Sequence, residues 1–283
     1  MIIFKEVKAL KNYISGLKQP GKTIGFVPTM GALHNGHLSL IKESNEKCTT
    51  TVCSIFVNPT QFNDPGDFEK YPVTIENDIL QLEKNKAVIL FLPSVKEIYP
   101  NGLTSSVHYD IGYLEDILEG YYRPGHFQGV CQVVHELLKI VEPDILFLGR
   151  KDYQQCMVIK KLMELYNIPA KLQIGNTLRE QGGLAMSSRN QRLLPEDRIK
   201  AQAIYKALCY IKENIYTTAV AILQEQAAQV ILQAGFAKID YVEIRDANTL
   251  LPVNDVNAGA PLIALVAAFI NGVRLIDNMV VTE

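Results

Sequence analysis

The chain has 283 residues, of which 48% are hydrophobic and 20% charged, as in an ordinary globular protein with one large or two smaller domains. Its formal net charge of −2 provides no field that would attract nucleic acid or an anionic membrane, and we expect neither partner. The longest apolar run, 260–270, is too short to span a bilayer. Five scattered cysteines fit reduced thiols, and the first residues lack the pattern of a signal peptide, so we expect a cytoplasmic protein.

The first half of the chain alternates short apolar strands with helices. Strands are predicted at 23–27, 50–57, 87–92, 145–148 and 170–174. Helices are predicted at 36–46, 75–84, 130–141 and 152–166. This alternation predicts an α/β fold with a Rossmann-like parallel sheet, covered by helices on both faces. Ligands of such sheets bind beyond the carboxyl ends of the strands, so the motifs that follow the strands are candidates for a site.

The pattern changes near residue 185. Helices are predicted at 195–216 and 219–234, a strand at 238–244, and a hairpin of strands 262–270 and 274–281 across Asn271-Gly272. These elements predict a smaller C-terminal α+β domain. We therefore expect a first domain at 1–176 and a lid domain at 177–283, with a hinge near 176–187 that closes over substrate.

The segment PTMGALHNGH at 28–37 joins the first of these strands to a helix. On a helix, His34 and His37 would share one face. Backbone N–H groups at the start of a helix favour an anion such as a nucleotide triphosphate. Gly36 has no side chain, so the backbone could come close to that ligand. The sequence has no Walker pattern, so neutral and cationic donors would hold the phosphates. A chance pair of histidines and half of a zinc site are the alternatives.

Two further loops carry polar groups. Asn58 and Gln61 follow the strand at 50–57, and their amides suit a hydroxyl and a carboxylate, although a turn with solvated amides is equally compatible. In the turn-rich segment 118–130, Arg123 could form two parallel hydrogen bonds to a carboxylate or a phosphate. For His126 we predict packing or capping of the loop.

The segment LGRKDYQQ at 148–155 again runs from a strand through a glycine to a helix start. Lys151 and the helix N-terminus could meet a phosphate together. Asp152 could accept a hydrogen bond from a ribose hydroxyl, or could simply cap the helix. Gln155 lies one turn further, on the same side as Lys151.

The segment LAMSSRN at 184–190 lies at the predicted domain boundary. Ser187, Ser188 and Arg189 place two hydroxyls and a guanidinium in one short loop, which suits a phosphate clamp as well as a flexible linker. Gly182 and Gly183 can absorb large backbone changes. We therefore expect the loop to be a moving lid, held by few packed contacts.

These motifs carry a resemblance to known families. The H-x-G-H string resembles the nucleotidylyltransferase superfamily, and Ser-Ser-Arg resembles the K-M-S-K-S loop of the same superfamily. Almost the whole chain resembles the pantothenate synthetase family, in the segments PTMGALHNGH, FVNPTQF, RPGHFQGV, GRKDYQQ, LAMSSRN and RLIDN. Val73, Gly182 and Gln128 depart from that pattern, where an arginine, an aspartate and often a basic residue are usual. These departures concern loop electrostatics and the capture of β-alanine.

The resemblance implies an ATP-dependent ligase that joins pantoate to β-alanine through a pantoyl adenylate, with Mg²⁺ on the phosphates and a homodimeric assembly. The residues implied to stabilise charge on the phosphates are His34, His37, Lys151, Ser187, Ser188 and Arg189. The nucleotide-binding set adds Met30, Gly36, Gly149, Asp152, Met186 and, near the adenine, Leu178. The substrate-binding set is Pro28, Met30, Asn58, Gln61, Arg123 and Gln155.

Two other classes of protein remain compatible with the sequence. A nucleotidylyltransferase that moves AMP onto a phosphorylated substrate would need further basic residues for that phosphate. A non-catalytic metal or nucleotide sensor, built on His34, His37 and nearby cysteines, would bind zinc tightly and show no turnover.

Overall fold

The computed structural model describes residues 1–87, 89–103, 107–256 and 261–282. Val88 in the predicted strand at 87–92, and Ala260 in the apolar run, lie outside the described residues. The chain divides into two compact units. The first is Met1–Arg150 with Gln154–Asn176, and the second is Lys151–Tyr153 with Thr177–Glu283.

The first unit is built on a six-stranded sheet in which every pair of neighbours is parallel. Its strands are β1 (Ile2–Phe4), β2 (Ile24–Thr29), β3 (Thr50–Ile55), β4 (Ile89–Phe91), β5 (Ile145–Gly149) and β6 (Lys171–Gly175). Their order is β1-β4-β3-β2-β5-β6. The predicted Rossmann-like parallel sheet is confirmed, with β1 as an additional strand that was too short to predict.

Helices of the first unit, the last of them from its second residue Gln154 onward, connect these strands. They are α1 (Val7–Leu17), α2 (Asn35–Lys47), α3 (Pro65–Glu69), α4 (Ile75–Lys84), α5 (Val95–Ile98), α6 (Leu118–Tyr122), α7 (His126–Val141) and α8 (Tyr153–Leu165). Of these, α2, α4, α7 and α8 were predicted. The helix α7 begins four residues before the predicted start, because the glycine-rich segment before residue 130 has the composition of a loop. Among the described residues, no helix of either unit is long and apolar enough to cross a membrane.

Apolar side chains from the sheet and the helices form the core of the first unit. Its fully buried members include Val27, Ile41, Cys53, Leu82, Leu90 and Phe147. Each of the aliphatic and aromatic side chains in this core stabilises the fold by about 1.5–3 kcal/mol when it is removed from water. The helix α2 lies so close to β2 that a Cβ on Gly25 would stand 2.1 Å from Ser44 Oγ. This packing holds the last turn of α2 against the beginning of β2.

The order in which strands are added to the sheet reverses between β2 and β5. From β2 the chain proceeds outward to β3 and β4, and then returns to β5 on the other side of β2. The β2–β5 ladder pairs only Gly25 with Ile145 and Phe26 with Leu146. Pro28 follows two residues later and has no N–H to donate. The two strands therefore separate toward their carboxyl ends, at the position where α/β sheets bind their ligands.

The second unit is an antiparallel sheet packed against helices. Its elements are α9 (Pro195–Lys200), α10 (Ala203–Asn214), α11 (Val220–Gln233), β7 (Lys238–Asp246), β8 (Leu262–Ile270) and β9 (Val273–Val280). The predicted hairpin across Asn271-Gly272 is confirmed, and both residues have positive φ. The single helix predicted at 195–216 is wrong, because it is interrupted at Ala201-Gln202. Both residues keep right-handed helical dihedrals, so the sequence pattern continues across the interruption.

Candidate active site

The segment between β2 and α2 brings the two candidate histidines together. His34 is the N-cap residue of α2 with an extended backbone, and His37 is the third residue of the helix. Their rings stack with centroids 4.0 Å apart and planes inclined by 30°. The two rings lie side by side, as expected for this spacing, although His34 precedes the helix.

Two backbone hydrogen bonds fix the orientation of these rings. His34 Nδ1 accepts from the Gly36 N–H at 3.1 Å, and His37 Nδ1 accepts from the His34 N–H at 3.3 Å. A neutral imidazole whose Nδ1 accepts a hydrogen bond carries its proton on Nε2. Each Nε2 is therefore a donor, as a phosphate oxygen requires. The His37 N–H bonds to the His34 carbonyl at 2.8 Å, so two N–H groups expected to face an anion are used within the loop.

A buried carboxylate that sequence analysis missed holds the loop ahead of His34. Asp78 Oδ2 accepts from the Ala32 N–H at 2.9 Å, and Oδ1 accepts from the Leu33 N–H at 2.8 Å. The hydroxyl of Thr74 also donates to Oδ1, at 3.0 Å. Ala32 has a φ of 47°, a left-handed conformation that costs a non-glycine residue roughly 1–2 kcal/mol. The carboxylate offsets that cost and sets the path of the chain into His34.

We expect Asp78→Ala to lower the free energy of unfolding by roughly 2–5 kcal/mol, because it leaves two buried N–H groups without an acceptor. Glu76→Ala removes an exposed carboxylate from the same helix and is the matched control, with an expected change below about 1 kcal/mol. Urea unfolding followed by circular dichroism measures both. Equal effects of the two substitutions would show that the Asp78 carboxylate does not hold the loop.

Asn58 holds the turn after β3 and is fully buried. Its Oδ1 accepts from the Tyr99 hydroxyl at 2.9 Å and from the Thr60 hydroxyl at 3.1 Å. Its Nδ2 donates to the Gly129 carbonyl at 3.1 Å and to Gln61 Oε1 at 3.4 Å. A Cβ on Gly129 would stand 2.1 Å from the Thr60 carbonyl, so a glycine is required at this contact. Both ends of the Asn58 amide are engaged in shaping the turn, and its contact with a substrate stays a prediction.

Gln61 connects the ends of β2 and β3. Its Nε2 lies 2.7 Å from Met30 Sδ. The backbone carbonyl of Gln61 accepts from His126 Nδ1 at 2.7 Å. His126 Nε2 in turn accepts from Arg123 Nη1 at 3.0 Å. Arg123 also pairs with Glu119, at 3.4 Å. The packing role predicted for His126 is confirmed, whereas Arg123 takes part in this internal network and its contact with a substrate stays a prediction.

The end of β5 and the start of α8 supply two more candidates. Gly149 is paired with Gly175 at the end of the β5–β6 ladder, and its carbonyl accepts from the Cys156 thiol. Gln155 is half-buried in the first turn of α8. Its neighbour Gln154 is buried and donates to the carbonyls of residues 114 and 117. The Gln154 amide is therefore structural. Of the two glutamines, only Gln155 has a side chain that is partly exposed to solvent.

Lys151 and Asp152 belong to the second unit. Lys151 Nζ lies 3.3 Å from Asp152 Oδ1, and the Lys151 side chain is only 16% exposed. The Lys151 carbonyl accepts from Asn278 Nδ2 at 2.8 Å. Two residues expected to contact a nucleotide are thus ion-paired, and the backbone of one is tied to β9.

The residues at 178–190 form a compact structure in the second unit. The Met186 N–H donates to the Leu178 carbonyl at 3.0 Å, which places the backbones of these two candidates side by side. Ser187 Oγ accepts from the Arg189 N–H at 3.3 Å and caps the 3₁₀ turn Ser188–Arg192. Asn190 donates to the Ala185 carbonyl at 3.0 Å. Ser187, Ser188 and Arg189 therefore stand on an ordered turn.

The expectation that few packed contacts restrain the loop at 182–190 is wrong. Four of its residues are between 2% and 6% exposed: Leu184, Ala185, Ser188 and Asn190. Gly182 and Gly183 have positive φ, as predicted for a turn, but the side chains of Gln202 and Tyr205 fill the space above them. Movement of the loop alone would break these contacts, and a hinge at 176–187 stays a prediction.

The positions that depart from the family pattern have different surroundings. Val73 is exposed. Gln128 donates to Glu115 Oε2 at 2.9 Å and to the Tyr109 carbonyl at 3.0 Å, and its Oε1 accepts from the Tyr109 N–H. Where the family pattern often has a basic residue, this chain therefore has an amide that links Tyr109 to Glu115.

A parallel sheet with paired, donor-oriented imidazoles beyond its switch point defines a Rossmann-like nucleotide-binding protein of the H-x-G-H type. The family model "Pantoate-beta-alanine ligase" matches residues 2–280. The chain belongs to this family, and the protein is an enzyme, a ligase.

Curated relatives and solved structures agree with the family over the full length. Pantothenate synthetase of Leptospira biflexa is 44% identical over 100% of both chains, and that of Flavobacterium psychrophilum is 42% identical over 99% of both. The crystal structure of pantothenate synthetase from Thermus thermophilus superposes with a TM-score of 0.91 at 38% identity, over 100% of both chains. Pantoate-beta-alanine ligase from Francisella tularensis, complexed with beta-gamma ATP and beta-alanine, has a TM-score of 0.83 at 38% identity, over 99% of this chain and 97% of that one.

Proposed function

We propose that this ligase condenses pantoate with β-alanine at the expense of ATP, through a pantoyl adenylate. The observation that carries the proposal is the stacked pair His34 and His37 at the start of α2, whose Nε2 atoms are donors in the neutral rings. The Francisella relative, complexed with beta-gamma ATP and beta-alanine, supports ATP and β-alanine as ligands.

In the first step, a carboxylate oxygen of pantoate attacks the α-phosphorus of ATP. The bond from this phosphorus to the oxygen bridging the α- and β-phosphates breaks, and pyrophosphate leaves. Negative charge grows on that bridging oxygen, so fixed donors aimed at it lower the barrier. We assign this role to His34 and His37, with Lys151, Ser187, Ser188 and Arg189 as further donors.

In the second step, the neutral amine of β-alanine attacks the acyl carbon of the adenylate. The carbon–oxygen bond to AMP breaks, AMP leaves with the bonding electrons, and the proton of the amine passes to solvent as the amide forms. No protein nucleophile is required in either step. The main contribution of the protein is to orient the reactants, which is worth several orders of magnitude in rate.

Mg²⁺ is proposed to enter with ATP as part of the substrate. Such ions are held mainly by substrate phosphates and water, with one or two carboxylates. Within the described ranges, no group of three or more His, Cys, Asp or Glu side chains could form a cage for a metal ion. Delivery with the nucleotide needs no such cage, because the phosphates are themselves ligands.

Gln61 and Gln155 are proposed to hold pantoate. We expect Gln61→Ala and Gln155→Ala each to raise the KM for pantoate by about 10- to 100-fold, the loss expected for one or two hydrogen bonds to a charged group. The KM for ATP should change little. Gln154→Ala is the matched control, and should lower the melting temperature without a selective rise in the pantoate KM. An equal rise in both KM values would show that the two glutamines were assigned to the wrong ligand.

The proposed first step is tested by following oxygen atoms. Pantoate labelled with ¹⁸O in its carboxylate is incubated with the enzyme, MgATP and β-alanine, and the nucleotide products are analysed by mass spectrometry. The adenylate route transfers one ¹⁸O atom to AMP. Label in inorganic phosphate together with formation of ADP would instead indicate an acyl phosphate and refute the proposal. An adenylylated product would favour a nucleotidylyltransferase, and tight zinc binding without turnover would favour a sensor.

We also propose a cytoplasmic homodimer. The family resemblance supports the dimer, and the five cysteines, all of them free thiols, support a reducing compartment. Light scattering should give twice the chain mass of 31.6 kDa. A mass of one chain across the working concentration range would refute the dimer.

A further inference from the structure

We infer that Asn278, together with the Arg179–Asp277 pair beside it, positions Lys151 and the turn that leads into the loop of Ser187, Ser188 and Arg189. All of these residues belong to the second unit. The inference rests on the proposed function, in which Lys151 and this loop contact ATP. It gives a role to the RLIDN segment at 274–278, which the proposed reaction leaves without one.

Asp277 and Asn278 are consecutive residues of β9, yet both are only 4% exposed. Successive side chains of a strand point to opposite faces, and β9 lies at the edge of its sheet. Two adjacent polar side chains buried on both faces of an edge strand are costly unless each has hydrogen-bond partners. The nature of those partners therefore indicates why the pair is present.

The Asn278 side chain reaches the backbone of a proposed nucleotide contact. Its Nδ2 donates to the Lys151 carbonyl at 2.8 Å, across 127 positions of sequence. The bond fixes the peptide that carries Lys151 at the point where the chain leaves β5. Asn278 acts on Lys151 through this peptide, so we describe it as a positioning residue.

The Arg179–Asp277 pair holds the adjoining turn. The guanidinium and the carboxylate form two parallel hydrogen bonds, of which Nη2 to Oδ1 is 3.1 Å. Arg179 Nη1 also donates to the Gly183 carbonyl at 3.0 Å, and the guanidinium carbon lies 4.4 Å from the centre of the Tyr205 ring. A Cβ on Gly183 would stand 1.9 Å from that same ring. The turn is thus packed between an ion pair and an aromatic ring.

Burial is the main influence on the Asp277 carboxyl and raises its pKa, whereas the hydrogen bonds from Arg179 and from the Asn278 N–H act in the opposite direction. A buried carboxylate that loses its arginine is strongly destabilised, so the two residues act as a unit. The Asn278 N–H donates to Asp277 Oδ1 at 2.8 Å, which joins the ion pair to the Asn278–Lys151 contact.

The turn held by Arg179 continues into the proposed phosphate loop. The Glu180 carbonyl accepts from the Gly183 N–H, and the Glu180 N–H donates to the Leu184 carbonyl. Arg179 forms an isolated antiparallel β-bridge with Ala185. Ala185 is followed in the chain by Met186 and then by Ser187, Ser188 and Arg189. One cluster therefore fixes the backbone of the proposed cation and the base of the proposed clamp. A displacement of about 1 Å in such groups can cost roughly 100-fold in rate.

The inference is tested by a double-mutant cycle between Asn278→Ala and Lys151→Ala, with ATP affinity measured by calorimetry and the rate by AMP formation. If Asn278 acts through Lys151, Asn278→Ala should lower ATP affinity and kcat/KM for ATP about 10- to 100-fold in the wild-type background. In the Lys151→Ala background the further loss should be less than about 3-fold, because coupled residues are not additive. Asn214→Ala removes another amide-to-carbonyl bond of this unit, to Tyr210, and should leave both quantities near the wild-type values.

Multiplicative losses in the cycle would overturn the inference, as would a lowered melting temperature with unchanged ATP affinity and kcat/KM. If Asn278→Ala does not fold, Asn278→Leu provides the same comparison, because a leucine side chain has a similar shape and no charge but cannot donate to the Lys151 carbonyl. Failure of the proposed function is separate. A wild-type protein that binds ATP without forming AMP would refute the reaction, while the affinity cycle would still decide whether Asn278 positions Lys151.

Discussion

His37→Ala should slow pyrophosphate formation by about 100- to 1,000-fold at saturating substrates, the loss typical of one fixed donor to a developing negative charge. The Nδ1 atom of His37 accepts from the His34 N–H, so its Nε2 carries a proton in the neutral ring. An alanine cannot replace this donor, and it also removes the stacking partner of His34. Pyrophosphate release measured by a coupled assay gives the rate.

The effect of His37→Ala on folding should be much smaller, because the ring is only half-buried. We expect the free energy of unfolding to fall by about 1 kcal/mol, because the hydrogen bond that Nδ1 accepts from the His34 N–H is lost. His108→Ala removes an exposed histidine and is the control for both measurements. A near-normal rate for His37→Ala with an unchanged melting temperature would remove His37 from the chemistry, and would leave His34 as the donor to be tested next.

The sheet could be predicted because its strands and helices carry strong local patterns. The strands β2 and β5 are short and mainly apolar, β3 is rich in β-branched residues, and α4 has the same bounds as its prediction. The three-residue strand β1 lacks enough residues to show a period. The interruption between α9 and α10 could not be predicted, because the two residues that separate these helices keep a helical conformation.

The candidate residues could be predicted because they follow strand ends, where α/β sheets bind ligands. The residues that hold them in place could not. Asp78 is 46 positions from Ala32, and Asn278 is 127 positions from Lys151. An acidic residue in the first turn of a helix normally indicates an interaction with the helix dipole, so the sequence around Asp78 points to the surface. Only the tertiary contacts identify it as a buried acceptor.

Lys151→Ala should have an effect on adenylation comparable to that of His37→Ala. The Lys151 ammonium group is proposed to neutralise phosphate charge, and its side chain is 84% shielded from solvent, where a charge acts more strongly than in water. Removal also leaves the carboxylate of Asp152 without its partner at 3.3 Å, so a cation is lost and a neighbouring anion is unmasked. We therefore expect a loss of about 100- to 1,000-fold in the rate of pyrophosphate release.

The structure allows this prediction to be separated from a folding defect. Asn278 bonds to the carbonyl of residue 151, which an alanine retains, so the melting temperature of Lys151→Ala should stay close to that of the wild type. Adding Asp152→Asn should recover part of the rate, because it removes the unmasked charge. Lys160→Ala, an exposed lysine further along α8, should be neutral. If Lys151→Ala and Lys160→Ala release pyrophosphate equally fast, Lys151 does not neutralise the phosphates, and its ion pair with Asp152 is structural.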